Sequence, residues 1–109
     1  MEQKSSFLTI FGETPIVKVL DFLIENREFD YSLTEIARNS NVSWTKLHQF
    51  WNDLIKKNIV AKTRRIGRAE MYKLNTKSLL VKKLIDADIQ FSKALARKEV
   101  ESQKIAIPA

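Results

Sequence analysis

The sequence predicts a mainly α-helical fold with one small β-hairpin, and three observations lead to this prediction. Apolar residues recur at helical spacing in four stretches of the chain. Ser32 with Glu35 three residues later forms a capping box, which marks the start of a helix. Two stretches rich in β-forming residues flank Gly67, which supplies the backbone angle of a hairpin turn. With 109 residues, 44% of them apolar, the chain has room for one domain.

The first long helix is expected to begin at Thr14, an N-cap residue, with Pro15 at the first helical position, and to end near Asn26. Residues 2–6 before it are polar and are expected to fray. The apolar residues that follow them are too hydrophobic to remain in water. We therefore expect residues 1–12 to pack on the domain or on a dimer partner.

Two further helices are joined by a short turn. The first is capped by Ser32 and ends near Ser40, and Asn41 tolerates the left-handed backbone of a tight turn. Ser43 caps the second, which is expected to span residues 44–57. Both helices and the turn fit in about 25 residues, which is the size of a helix-turn-helix.

A β-hairpin and a long helix complete the chain. Asn58 is expected to end the preceding helix in the left-handed conformation, and residues 59–66 and 70–74 are predicted strands. The last helix is expected over residues 77–101, because leucine, alanine and phenylalanine recur there at nearly 3.5-residue spacing. Residues 102–109 are predicted to be a flexible tail.

The composition excludes several classes of site. The absence of cysteine excludes disulfides, thiolate metal sites and cysteine nucleophiles, and the single histidine, His48, excludes a multi-histidine metal site. Two glycines are too few for a phosphate-binding loop. We find no acid–base constellation, so the sequence predicts neither an enzyme nor a bound cofactor or metal. No apolar run reaches membrane-spanning length and no signal peptide is visible, so a cytoplasmic location is expected.

The net charge of +6 is concentrated in the middle of the chain. Residues 1–35 carry three basic and seven acidic side chains (−4), residues 36–75 nine and two (+7), and residues 76–109 seven and four (+3). A clustered positive field attracts polyanions. The alternative is a solvated basic face without a partner.

This order of elements resembles a winged helix-turn-helix domain, and in particular the archaeal winged-helix transcriptional regulators of the broad ArsR/MarR type. The resemblance extends from Phe11 to about Leu84. The segments that carry it are residues 11–15, 33–37, 41–43, 54–60 and 67–75. It implies that residues 13–76 form a winged helix-turn-helix DNA-binding domain and residues 77–101 a dimerisation helix. Asn58 departs from the pattern, because many members have glycine there.

In such domains the helix after the turn enters the major groove of DNA. We expect its outward polar side chains to read bases, because amides pair with adenine, lysine reaches guanine and threonine contacts thymine; these are Thr45, Lys46, His48, Gln49 and Asn52. Ser43 with the first backbone N–H groups suits a phosphate. Trp44 is either a core residue or a DNA contact, whereas Trp51 is expected in the core.

The predicted hairpin, or wing, is rich in cations that suit phosphates or the minor groove. They are Lys62, Arg64, Arg65, Arg68 and Lys73. Arg68, beside Gly67, is the expected tip. The alternative is an edge hairpin whose charges guard against aggregation.

The last helix is longer than one winged-helix core covers. We expect Leu80 and Leu84 to complete the core and the residues beyond them to form a two-fold interface with the N-terminal segment. The predicted interface residues are Phe7, Leu8, Phe11, Ala87, Phe91 and Leu95. Such a dimer would place two recognition helices about 34 Å apart, one turn of DNA. The alternative is a helix that folds back along its own domain.

The sequence thus predicts a homodimeric, sequence-specific protein that binds double-stranded DNA, as a transcriptional regulator. Two alternatives stay open: a DNA-organising or segregation factor that coats or bridges DNA, and a winged-helix module that binds a protein. A small-molecule effector of unknown identity also stays open, and the composition disfavours a metal as that effector.

Overall fold

The computed structural model describes residues 4–106, with side chains from 4 to 98. Within this part of the chain, five helices and one antiparallel hairpin follow one another: α1 (Ser6–Phe11), α2 (Pro15–Glu25), α3 (Leu33–Ser40), α4 (Trp44–Lys56), β1 (Val60–Ile66), β2 (Ala69–Leu74) and α5 (Leu79–Ala106). This is the order of a winged helix-turn-helix with a long C-terminal helix. The predicted fold class is therefore confirmed.

Several of the local signals that delimit the elements act as the sequence predicts, but the Thr14 side chain makes no capping hydrogen bond and α5 begins at Leu79 rather than at residue 77. The Glu35 amide donates to Ser32 Oγ at 3.2 Å and the Ser32 amide donates to Glu35 Oε1 at 3.0 Å, which completes the capping box. Asn41 and Asn58 both adopt positive φ, 57° and 59°, as does Gly67 at 60°. Asparagine tolerates this conformation better than other residues with a Cβ, and glycine adopts it freely. These three residues therefore form the turn between α3 and α4, the turn between α4 and β1, and the turn of the hairpin.

The short helix α1 was not predicted as a helix. Ser5 caps it by accepting a hydrogen bond from the Leu8 amide at 3.1 Å, and Ser5 Oγ donates to Asp21 Oδ1 at 2.7 Å. The expectation that Ser5 and Ser6 fray is therefore wrong. Phe7 is buried in the core, so residues 6–11 pack on the domain itself, one of the two predicted outcomes.

The core lies where α2, α3 and α4 meet the hairpin. It includes Val19, Ile36 and Leu47, all fully buried. Trp51 is buried as predicted and packs edge-to-face on Tyr72 of β2, with ring centroids 5.2 Å apart. Aromatic packing of this kind anchors the base of the hairpin to α4.

The C-terminal helix joins the core one residue out of the predicted register. Val81 is fully buried and Leu84 is partly buried, whereas Leu80 is 50% exposed. The predicted core role of Leu80 is therefore wrong. Val81 takes that role, and because successive residues of a helix are about 100° apart, Leu80 points away from the core. The helix also continues to Ala106, past the predicted end at residue 101, so the expected tail is helical over residues 102–106.

The segment between α2 and α3 lies beside the hairpin. The Tyr31 amide donates to the Tyr72 carbonyl and the Tyr72 amide to the Tyr31 carbonyl, both at 2.8 Å. The extended piece predicted at residues 29–31 thus extends the hairpin by one bridge. None of the helices in the described part of the chain combines the length and apolar character needed to cross a membrane.

Candidate nucleic-acid interface

The outer face of α4 is polar and cationic. Ser43 caps the helix by accepting from the Lys46 amide at 3.1 Å. Leu47, Trp51 and Leu54 face the core. Every residue predicted on the outward face of this helix is exposed: Ser43, Thr45, Lys46, His48, Gln49 and Asn52. Trp44, for which the sequence leaves a core position and a DNA contact open, is exposed as well. The sequence therefore predicts the exposure of this face correctly, because helical periodicity fixes it once the buried positions are known.

Trp44 and His48 form a stacked pair at the start of α4. Their ring centroids are 3.5 Å apart at an interplanar angle of 32°, and Trp44 is 57% exposed. His48 Nδ1 lies 2.9 Å from the Trp44 carbonyl oxygen. Because a carbonyl only accepts, Nδ1 carries the hydrogen, and Nε2 of the neutral ring is left as an acceptor. An acceptor at this point suits the exocyclic amino group of adenine or cytosine.

Two of the five predicted wing cations are held in ion pairs within the chain. Lys62 Nζ lies 2.9 Å from Glu70 Oε1, and Arg64 Nε lies 2.8 Å from Asp30 Oδ2. The hydrogen bond from Lys62, followed by that from the Tyr72 hydroxyl, lowers the pKa of Glu70. Lys62 and Arg64 are thus less available to a phosphate than the sequence alone indicates.

The wing cations also divide between the two faces of the hairpin. Arg65 pairs with Glu70 across the strands and lies on the face of Lys62, whereas Lys73 pairs with Ala61 on the opposite face. Arg65 and Arg68 line a cavity of about 290 Å³ together with residues 32–34 at the start of α3. The structure therefore brings Arg65 and Arg68 together with the helix-turn-helix and places Lys73 apart from them.

Thr34, an exposed residue of the first turn of α3, was missed by the sequence reasoning. It lines the cavity that Arg65 and Arg68 share. The capping box at Ser32 marks this helix start in the sequence, but only the folded hairpin shows that two arginines lie beside it. Guanidinium groups favour anions. The Glu70 carboxylate also lines this cavity and the Glu35 carboxylate accepts from the Ser32 amide, so Arg65 and Arg68, rather than the helix end, are the groups here that suit a phosphate.

The residues predicted for a dimer interface have unequal exposure. Phe7 is buried inside the single chain. Phe11 is 48% exposed and packs against Phe91 of α5, with ring centroids 5.4 Å apart. Leu8, Ala87 and Leu95 are partly buried. Phe11 and Phe91, from the two ends of the sequence, therefore form one partly exposed apolar cluster.

Within the described residues, no group of three or more His, Cys, Asp or Glu side chains is arranged to hold a metal ion. The three carboxylates of Asp21, Glu25 and Asp88 act on one another where α2 faces α5. Burial, then the charge of Asp88 and then that of Asp21, raises the pKa of Glu25. Burial, then the charge of Asp21, raises the pKa of Asp88.

Similar folds occur in solved structures of three proteins. Sso10a-2, a DNA-binding protein from Sulfolobus solfataricus, is 12% identical, with a TM-score of 0.52 over 84% of this chain and 96% of that one. M. tuberculosis Rv0081 is 25% identical, with a TM-score of 0.54 over 92% and 90%. Lactococcus lactis ZitR in complex with DNA is 14% identical, with a TM-score of 0.54 over 81% of this chain, which spans 65% of ZitR. No protein-family model and no curated protein matches the sequence.

Proposed function

We propose that this protein binds double-stranded DNA sequence-specifically as a homodimer and regulates transcription. The observation that carries the proposal is the surface formed by the polar face of α4 and by Arg65 and Arg68 beside the start of α3, two cations that have no ion-pair partner among the described residues. The similarity to ZitR, whose structure contains DNA, supports the proposal at the level of the fold.

Each part of the surface has a distinct role in this proposal. Lys46, Gln49 and Asn52 contact base edges in the major groove, since they are exposed on one helix and carry the donors and acceptors that bases recognise. Arg65 and Arg68 contact phosphates or the adjacent minor groove. Base contacts provide specificity, and the cations provide most of the sequence-independent affinity.

A dimer is proposed because apolar side chains of α1 and α5 stay exposed in the single chain. Leu80 is 50% exposed, Phe11 48% and Ile10 44%. Leu80 lies on the same side of α5 as Phe91, since eleven residues make about three turns. Burying these side chains between two copies would bring two α4 helices to one face of the DNA, about 34 Å apart.

Selection of bound sequences from random duplex DNA tests binding, specificity and symmetry together. We expect recovered sequences to contain two inverted half-sites with centres about 10 base pairs apart. Continuous protection that spreads along DNA without a preferred site would instead indicate a DNA-organising protein. Absence of binding at 50 mM salt, where phosphate contacts are strongest, would contradict the proposal and favour a protein-interaction module.

The oligomeric state is tested separately with two neighbouring leucines. Leu80→Glu introduces a charge into the proposed interface, whereas Leu79→Glu, at a residue 71% exposed and about 100° around the helix, is the matched control. Light scattering after size exclusion should show a dimer for the wild type and for the Leu79 variant, and a monomer for the Leu80 variant. A monomeric wild type at micromolar concentration would contradict the dimer.

A further inference from the structure

Asp30 connects the segment between α2 and α3 to the wing. Its side chain is only 16% exposed, although it lies on the surface side of the hairpin. The next residue, Tyr31, is bridged to β2 through Tyr72 by two backbone hydrogen bonds. The backbone thus brings the Asp30 carboxylate within reach of the strand beyond, β1.

An irregularity in β1 presents two consecutive side chains to this carboxylate. The pairing of the strands shifts between Lys62 and Arg64, which leaves Thr63 as the additional residue of a bulge. Neighbouring residues of a regular strand point to opposite faces. Here Thr63 Oγ1 donates to Asp30 Oδ2 at 2.6 Å, and Arg64 donates from Nε to Oδ2 at 2.8 Å and from Nη2 to Oδ1 at 3.1 Å.

The resulting cluster uses both oxygens of Asp30. A two-point contact between guanidinium and carboxylate fixes orientation as well as distance. The hydrogen bond from Arg64, followed by that from Thr63, lowers the pKa of Asp30 to about 2. Asp30 is therefore ionised at any pH near neutrality, and the contact persists there.

The geometric effect of this cluster is larger than its expected contribution to stability. Exposed ion pairs stabilise folded proteins little, and the Arg64 side chain is 62% exposed. A two-stranded hairpin, however, has little stability of its own and takes its direction from what it packs against. Among the described residues, the hydrogen bonds of Thr63 and Arg64 with Asp30 connect this face of the wing to the rest of the domain beyond the buried base of the hairpin.

We propose that Asp30 is a positioning residue that sets the angle of the wing relative to α4, through Thr63 and Arg64. The proposal rests on the function proposed above, since it assigns Arg64 to the orientation of the wing rather than to a phosphate. Arg65, the neighbour of Arg64 on the opposite face of β1, is then held facing α3.

Asp30→Asn distinguishes a positioning role from a purely electrostatic one, because the two predict opposite changes in the affinity for DNA. Removing a negative charge strengthens binding to DNA if only electrostatics matter. If Asp30 positions the wing, affinity for a duplex recovered by selection instead falls, by about tenfold. Glu28→Gln is the matched control, because Glu28 is exposed, has the same charge as Asp30 and lines a second cavity, of about 550 Å³, together with Asp30 and Arg64. It should leave the affinity unchanged or raise it.

Variants of Arg64 test the same contact from the other side. Arg64→Lys retains the charge but cannot make the two-point contact, so it should lose as much affinity as Arg64→Ala. The double variant Asp30→Asn/Arg64→Ala should lose no more than either single variant, as expected for one shared contact. Wild-type affinity for Arg64→Lys, or tighter binding by Asp30→Asn, would overturn the proposal and make Arg64 a phosphate ligand.

A measurement without DNA separates this proposal from the function on which it rests. The chain has no cysteine, so spin labels on Cys introduced at Arg68 and Asn52 report the distance between the wing tip and α4. Asp30→Asn should broaden that distance distribution while the circular dichroism spectrum stays unchanged, and Glu28→Gln should not. An unchanged distribution overturns the positioning role. A broadened distribution, together with a failure of the unlabelled wild-type chain to bind DNA, supports the positioning role and refutes the proposed function.

Discussion

The salt dependence of DNA binding can be worked out from the two cations that the proposal places at phosphates. In each protomer Arg65 and Arg68 are exposed, and neither has an ion-pair partner among the described residues. Two contacts per protomer give about four per dimer and a slope of log affinity against log salt of about −3.6. Between 50 and 200 mM salt, the affinity should then fall about 150-fold.

Arg65→Ala removes one such contact from each protomer. The slope should become about −1.8, and the loss between the same salt concentrations should shrink to about 12-fold. Fluorescence anisotropy with a labelled duplex over a salt series measures both quantities. Lys73→Ala is the control, because Lys73 lies on the opposite face of the hairpin.

The result that refutes this reasoning is an equal change of slope in the Arg65 and Lys73 variants. It would mean that both faces of the hairpin contact DNA, or that the slope reflects net charge alone. A wild-type slope near −2 would also contradict the count, since two contacts per dimer would leave only one of the two arginines of each protomer at a phosphate.

Three further predictions concern specificity and stability. Gln49→Ala should cost about 1–3 kcal/mol on the selected site and nothing on random duplex, and equal losses on both would contradict base reading. Asp88→Asn should raise the thermal midpoint at pH 7. The pKa of Asp88 is raised in the folded state, so ionisation of this carboxyl lowers the stability of the fold as pH rises above the ordinary value of 3.8. The gain in thermal midpoint should therefore shrink as the pH is lowered toward 4. Asp86→Asn, on the exposed side, is its control in the same melts. Asn58→Ala should lower the unfolding free energy by about 1 kcal/mol in urea titrations and Asn58→Gly should not, because φ is 59° there.

The elements that depend on local signals could be predicted from the sequence. The capping box at Ser32, the left-handed residues Asn41 and Asn58, and the burial of Trp51 all follow from neighbours within a few positions. The outward face of α4 belongs to the same class, because helical periodicity relates it to the buried positions.

Features that depend on distant parts of the chain could not be predicted in the same way. Helix α1 has six residues, too few for periodicity to reveal, and is held by the contact of Ser5 with Asp21 and by the burial of Phe7. The register of α5 depends on which side meets the core. Leu80 and Val81 are both apolar, and only packing decides that Val81 is the buried one.

The cations of the wing show why the difference between local signals and distant contacts matters for function. Counted along the sequence, Arg64 belongs to a basic block and Asp30 to an acidic one, 34 residues earlier. The bulge at Thr63 brings them together, so that one cation of the block is neutralised by a carboxylate from outside it. A clustered positive charge in a sequence therefore predicts that an anion-binding surface exists. Which of these cations lie together is decided by the folded hairpin, which in this protein places Arg65 and Arg68 beside the start of α3 and Arg64 and Lys73 on the opposite face.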